Sequence, residues 1–285
     1  MNPGNKKILE WYLLICEANK GLTAKTIKGF YYDLRLFLIF IGDKPVDRVV
    51  HQDCENFFVH CHVNRKNGDQ ALSRKFTSIN CFFNELIKRD KLDIKNPMRK
   101  LDPPKVRKKL RPYLTHDEIQ KLFKHLEDKG DLRTLAIASL FFYSGIRLSE
   151  LQQLNRDSLD FTAYRFSVLG KGQSERVCIF HTYAAEKIQE YLASRKDSFP
   201  SLFASRQGRL SHRQIQLLVQ GAVEAAIGQH MTPHNLRHSA AMSLLKRGVP
   251  LDKIQVFLGH NNISTTQIYA HNDIDDLQAA VGAVW

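Results

Sequence analysis

Apolar side chains recur at spacings of three and four through the first 95 residues, the period of helices that each bury one face. Ile8, Trp11, Tyr12 and Ile15 open the pattern, and Ile27, Tyr31, Leu34, Leu38 and Ile41 continue it. Phe57, Phe58 and Cys61, then Ile79, Phe82, Phe83 and Leu86, complete it, which predicts a bundle of four helices over 1–95. Thr23 and Gly42 stand where the second helix should start and stop. Asn96-Pro97 ends the pattern, and the four prolines at 97, 103, 104 and 112 predict an extended strap over 96–111 and a domain boundary. A second domain over 112–285 opens at Thr115, where Thr115-His116-Asp117-Glu118 has the form of a capping box. Helices are expected at about 131–144, 148–155, 183–195, 211–227, 234–247 and 251–258. Between them, residues 158–180 alternate and are rich in branched and aromatic side chains, which predicts a small antiparallel sheet with Lys171 at a hairpin tip, Gly170-Lys171-Gly172. The fold class is therefore mainly α with one small antiparallel β-sheet.

Composition narrows the setting. Two domains' worth of chain, 285 residues with 43% hydrophobic content, needs no covalent staples. The five cysteines (Cys16, Cys54, Cys61, Cys81, Cys178) form no CxxC pair and point to a reducing compartment, hence a cytoplasmic, nucleoid-associated protein. No apolar run suits a signal peptide or a spanning helix, so no membrane role is expected. The net charge of +13 is unevenly spread: Lys and Arg against Asp and Glu number 16 to 11 over residues 1–95, 7 to 1 over 96–111, and 19 to 17 over 112–285. A charged run suits a solvated linker as well as a binding strap, but two positive domains joined by a positive strap fit a polyanion gripped from both sides, with nucleic acid the natural candidate. Lys25, Lys28, Arg74 and Lys75 in the bundle, and Arg107, Lys108, Lys109 and Arg111 in the strap, are the candidate DNA contacts.

The chemistry rests on a scattered basic set. His234 and Arg237 lie three apart after Thr232-Pro233, on one face of a helix start whose free amides favour anions. Joined to the other positions this is a phosphate site; taken alone it reads first as a helix start with an exposed His and Arg. Arg147 follows a Ser-Gly turn, with Glu150 three residues on to orient it or to cap the next helix. Lys171 between two glycines also fits an ordinary hairpin. His260 follows Gly259 at a helix end, and Tyr269 lies nine residues later in a polar segment, unlike Tyr31, Tyr143, Tyr164 and Tyr191, which sit in apolar patterns. His51, Cys54, His60, Cys61 and His62 invite a reading as zinc ligands, but Cys54, Phe58 and Cys61 share a helical stripe, and packing explains them better. No acidic cluster suits a magnesium pair, so neither metal nor cofactor is expected.

In order and context, Arg147, Lys171, His234, Arg237, His260 and Tyr269 resemble the catalytic set of the tyrosine recombinases, the superfamily of phage integrases and Xer-type proteins. The resemblance spans almost the whole chain. It implies a four-helix core-binding (SAM-like) domain, a strap and a catalytic domain. In it Tyr269 is the nucleophile that forms a 3′-phosphotyrosyl intermediate, Lys171 the general acid, the two arginines and two histidines the phosphate ligands, and Glu150 a supporting residue. A homotetramer would exchange strands of double-stranded DNA between two sites through a Holliday junction, with or without accessory DNA-bound proteins. Dimer or cointegrate resolution is the expected task; integration and excision, a type IB topoisomerase and a non-catalytic DNA-binding regulator are the alternatives. Leu277, Val281 and Trp285 form a tail that docks either on a neighbouring protomer or on its own domain.

Overall fold

A computed structural model of the chain describes residues 1–18, 22–106, 111–169, 175–259 and 281–282, and it divides into two units, Met1–Lys109 and Leu110–Trp285. The first holds α1 (Pro3–Ala18), α2 (Ala24–Phe40), α3 (His51–Val63) and α4 (Asp69–Lys88) around an aromatic core. Tyr12 meets Phe82 and Phe37 meets Phe57 edge to face, with ring centroids 5.1 and 5.2 Å apart, the arrangement the ring quadrupoles favour. Thr23 caps α2 through its hydroxyl, which accepts from the Thr26 amide, and the chain leaves that helix through Gly42 at a φ of +64°.

The first helix packs one residue away from the expected stripe. Leu9, Tyr12 and Cys16 are buried, whereas Ile8, Trp11 and Ile15 are half-buried. The cause is polar: Asn5 lies on the same face, donating to the Lys44 carbonyl at 2.9 Å and accepting from the Val46 amide at 3.0 Å. Docking that amide fixes which face turns inward. In α3 the buried stripe is Cys54, Phe57 and Cys61, with Phe58 half-buried beside it.

The strap also departs from expectation, because it is not extended throughout. Asn96 accepts from the Met98 amide at 2.8 Å, and Pro97 begins a short 3-10 turn, Pro97–Lys100, that buries Pro97 and Met98 against the first unit. Proline's fixed φ suits a first helical position, so here it starts a turn rather than preventing one. At the far end, Asn235 donates to the Pro112 carbonyl at 2.9 Å and the Leu114 amide donates to the Ser239 hydroxyl at 2.7 Å, fastening the entry of the second unit.

That unit contains α5 (His116–Asp128), α6 (Leu132–Ser144), α7 (Leu148–Gln153), β1 (Leu159–Asp160), β2 (Arg165–Leu169), β3 (Glu175–Ile179) and α8 (Thr182–Ser194). β4 (Ala204–Ser205), β5 (Gly208–Arg209), α9 (His212–Ile227), α10 (Pro233–Lys246) and α11 (Leu251–Leu258) follow. The capping box of α5 is formed: the Thr115 amide donates to Glu118 Oε2 at 2.7 Å and the Glu118 amide to Thr115 Oγ1 at 3.3 Å. α6 is buried from Thr134 to Ser144 and is the axis on which α8 and α10 pack. The three strands β1, β2 and β3 form an antiparallel sheet, with Phe166 opposite Cys178 and Val168 opposite Arg176. The ribbon β4–β5 was not expected, since two-residue strands are too short for alternation to be legible. Val281 packs into this unit's core, while Leu277 and Trp285 lie outside the described residues.

Candidate active site

The site is built on a turn that requires glycine. α6 ends in Gly145, whose φ of +58° reverses the chain so that Ile146 is buried and Arg147 becomes the residue that opens α7. The Glu150 carboxylate reaches back, accepting from the Arg147 amide at 2.9 Å through Oε2 and from Arg147 Nη1 at 2.6 Å through Oε1. Glu150 is therefore both the cap of α7 and the orienting partner of Arg147, joining two roles that spacing alone left open.

Arg237, one turn into α10, is buried. It donates from Nη1 to the Gly145 carbonyl and from Nη2 to the Leu258 carbonyl. These acceptors lie at the C-terminal ends of α6 and α11, where the unsatisfied carbonyls carry the negative pole of each helix and stabilise a cation. Burial, together with the positive charge of Arg147 and Arg176, pulls the Arg237 guanidinium down to about 10, which leaves it protonated at neutral pH.

Sequence reasoning missed Arg176. On β3, its Nη2 donates to Glu150 Oε2 at 2.8 Å, while its Nε lies 3.4 Å from Oε1. The Glu150 carboxylate is thus shared by two arginines. Burial alone would push it up, but hydrogen bonds and charge from Arg176, followed by the bonds from Arg147, outweigh this and hold it below the usual carboxylate range. A signal for Arg176 was present: Cys178, two residues on, faces inward, and a cation at an inward position of a strand needs a buried partner. The nearby Cys178 thiol, pushed up to about 12 chiefly by burial, is not a nucleophile at neutral pH.

The C-terminus of α11 gathers these cations. Arg176 Nη1 approaches the Phe257 carbonyl at 3.5 Å, Arg237 binds that of Leu258, and Arg147 Nη2 binds that of Gly259. Three successive carbonyls thus each meet an arginine from a different element. Gly259 has a φ of +60°, and a Cβ there would lie 2.6 Å from Arg176 Cδ, so both backbone and packing require glycine. Counting Arg147, Arg176 and Arg237 against Glu150, three positive charges less one negative, leaves a net charge of +2. Neither Arg147 nor Arg237 uses all five donors of its fork in these contacts, which suits two-point capture of a phosphate.

His234 stands exposed at the start of α10, where Arg111 Nη1 lies 2.6 Å from its Nε2. A guanidinium has only donors, so Nε2 accepts and the neutral ring carries its proton on Nδ1. Although the residue as a whole is exposed, partial desolvation of its ring, then the charges of Arg111, Arg237 and His238, hold this imidazole below its ordinary value. The strap residue Arg111 is thereby joined to the candidate phosphate ligands. Lys171, His260 and Tyr269 lie outside the described residues, as do Arg107, Lys108 and Lys109.

In the first unit, Lys25 and Lys28 are exposed on α2 and Arg74 on α4, with Gly29 close enough to Arg74 that a Cβ would touch its Nη1 at 3.8 Å. Lys75, expected as a DNA contact, is not available for one: it is buried, 3.8 Å from Asp33 Oδ1, and its charge is held inside the bundle. Asp33 also pairs with Arg74 at 2.9 Å and accepts from the Ser78 hydroxyl at 2.9 Å. Cys54 and Cys61 are core residues, and burial pushes the Cys54 thiol up to about 12. Among the described residues, no three His, Cys, Asp or Glu side chains gather to hold a metal, and no helix is long and apolar enough to cross a membrane.

The phage integrase family model matches residues 112–275, which contain Arg147, Arg176 and Arg237. A tyrosine recombinase XerC from Caldanaerobacter subterraneus subsp. tengcongensis is 32% identical over 96% of this chain and 85% of its own length. The Tn1549 transposon integrase in complex with transposon right end DNA matches with a TM-score of 0.76 at 17% identity, over 95% of this chain and 99% of that one. A lambda integrase tetramer bound to a Holliday junction matches at 0.72 and 17%, over 92% and 80%. The chain belongs to the phage integrase family of tyrosine recombinases. It is a site-specific recombinase.

Proposed function

We propose that this chain cleaves and rejoins duplex DNA through a tyrosyl ester, with Arg147 and Arg237 holding the scissile phosphate and Glu150 orienting Arg147. The observation that carries the reading is the cluster of three arginines about one buried carboxylate, net positive and anchored on helix C-termini, in a chain of this family. A pentacoordinate transition state gains a second negative charge on its non-bridging oxygens, and cations held in place beforehand stabilise that gain without reorganisation.

Tyr269 is the proposed nucleophile. Its phenol gives up its proton to water, the oxygen bonds to phosphorus as the bond to the 5′ oxygen breaks, and Lys171 supplies the proton that leaves with the 5′ hydroxyl. The tyrosyl ester conserves the linkage energy, so a 5′ hydroxyl from a second duplex reverses the step without ATP. His234 and His260 complete the phosphate ligands, and Lys25, Lys28, Arg74, Arg107, Lys108, Lys109 and Arg111 contact the DNA backbone. Four copies on two sites would pass through a Holliday junction, the assembly in which the lambda integrase neighbour was solved. Resolution of dimers or cointegrates beside the chromosome is the biological task we favour, in keeping with the XerC-type relatives.

The test is end trapping. The protein is mixed with fragmented genomic DNA, quenched in detergent, and the covalently held ends are sequenced for wild type and Tyr269→Phe. Trapped 3′ ends at a few paired sites, absent from the variant, are expected. Uniform trapping would indicate a topoisomerase, and no trapping above background a binding-only regulator.

A further inference from the structure

Arg176 lies on a strand, outside the residues given a role above, yet it touches both the orienting carboxylate and the helix end on which the other two arginines rest. We propose that Arg176 is a positioning residue for DNA cleavage: by taking up half of the Glu150 carboxylate and fixing the C-terminus of α11, it keeps the charge of Arg147 available to the scissile phosphate. This rests on the recombinase reading of the site.

Arg147 and Glu150, 2.6 Å apart, form a pair of zero net charge, and a carboxylate with a single arginine partner draws that fork onto itself. Arg176, with its side chain 15% exposed against 4% for Glu150, neutralises the same carboxylate from its other edge at 2.8 Å. With Arg176 the cluster of Arg147, Glu150, Arg176 and Arg237 carries +2; without it, +1. The charge lost is the one that answers the second negative charge of the transition state.

The Arg176 stem packs against Gly259, and its Nη1 lies beside the Phe257 carbonyl, while the next two carbonyls hold Arg237 and Arg147. Removing the Arg176 side chain leaves this helix end unsupported on one side, so both phosphate-binding forks lose a fixed reference point. A displacement of about 1 Å at a reacting centre costs about 100-fold in rate.

The test uses the full-length protein and a duplex carrying a site recovered by end trapping, with either an ordinary phosphodiester or a methylphosphonate at the scissile position. The methyl group removes one negative non-bridging oxygen, and with it the need for one neutralising charge. On the phosphodiester, Arg176→Ala is expected to form the covalent adduct about 100-fold more slowly than wild type, and Arg176→Lys, which keeps the charge but not the two-point contact, about 10-fold more slowly. On the methylphosphonate, both deficits should shrink to within about threefold of wild type, as should that of Arg147→Ala. Equal deficits on the two substrates would overturn the proposal and make Arg176 a folding residue, and an unchanged rate on the phosphodiester would overturn it outright. If Arg176→Ala does not fold, Arg176→Lys decides by the same comparison. Wild type that forms no adduct on either duplex would bring down the recombinase reading itself, a result separate from any difference among the variants.

Discussion

Replacing Gly145 by alanine tests the turn on which the site is built. Its φ of +58° disfavours a Cβ, a penalty of about 1 kcal/mol relative to glycine. The added Cβ would also lie 2.8 Å from Phe257 Cε1 and 3.0 Å from Leu258 Cδ2, two buried side chains of α11 that have little room to move. Overpacking of this kind costs about 1–3 kcal/mol, for a total of about 2–4 kcal/mol. Gly248→Ala is the internal control, because its φ of +83° carries the backbone penalty while nothing lies within 4 Å of its Cβ. In a unit of this size each kcal/mol shifts Tm by about 2–4 °C, so calorimetry should show a fall of about 2–4 °C for Gly248→Ala and about 4–16 °C for Gly145→Ala. Because Arg237 donates to the Gly145 carbonyl and α11 carries the other two arginine contacts, covalent adduct formation should fall only in Gly145→Ala. Equal Tm shifts in the two variants would refute the claim that α11 is packed tightly against this turn.

Two further perturbations probe charges in separate units. Arg111→Ala removes the second cause of the depressed His234 pKa and leaves burial, so the His234 midpoint followed by NMR should rise yet stay below about 6.5. Since the folded value is the lower one, the unfolded chain binds the proton more readily; the stability tied to His234 is complete above about pH 6.5 and lost as pH falls through the folded midpoint. An unmoved midpoint in Arg111→Ala would show that the two side chains do not meet in solution. In the first unit, Asp33→Ala strands the buried Lys75 ammonium and should cost about 3–5 kcal/mol, whereas Arg74→Ala, at a side chain 54% exposed, should cost under about 1 kcal/mol. Hydrogen exchange of α2 and α4 amides measures both, and equal protection in the two variants would contradict the buried pair.

Much of this protein was legible in one dimension. The boundaries of α2, α5, α6, α9 and α10 follow from local signals: Thr23, Thr115 and Ser211 as caps, Gly42, Gly145 and Gly228 as stops, and apolar spacing between them. Arg147, Glu150 and Arg237 were legible as candidates through the resemblance of their short segments to those of the tyrosine recombinases, and each lies within a few residues of the turn or helix start that positions it. The inward face of α1 was not, because Asn5 chooses it by binding Lys44 and Val46, about forty residues away in the chain. Nor was the burial of Lys75, which depends on where α4 sets it against Asp33 of α2. The sequence by itself determined the helices and their ends, since propensity, capping and periodicity act over a single turn, and its resemblance to the tyrosine recombinases singled out Arg147 and Arg237 as candidates. Only the tertiary structure decided that Arg176 shares Glu150 with Arg147 and that three arginines converge on Phe257, Leu258 and Gly259. Those partners stand 26 to 112 residues apart in the chain for Arg176–Glu150 and Arg147–Gly259, and only the packing of α6, α10, α11 and β3 around one core brings them within hydrogen-bond reach.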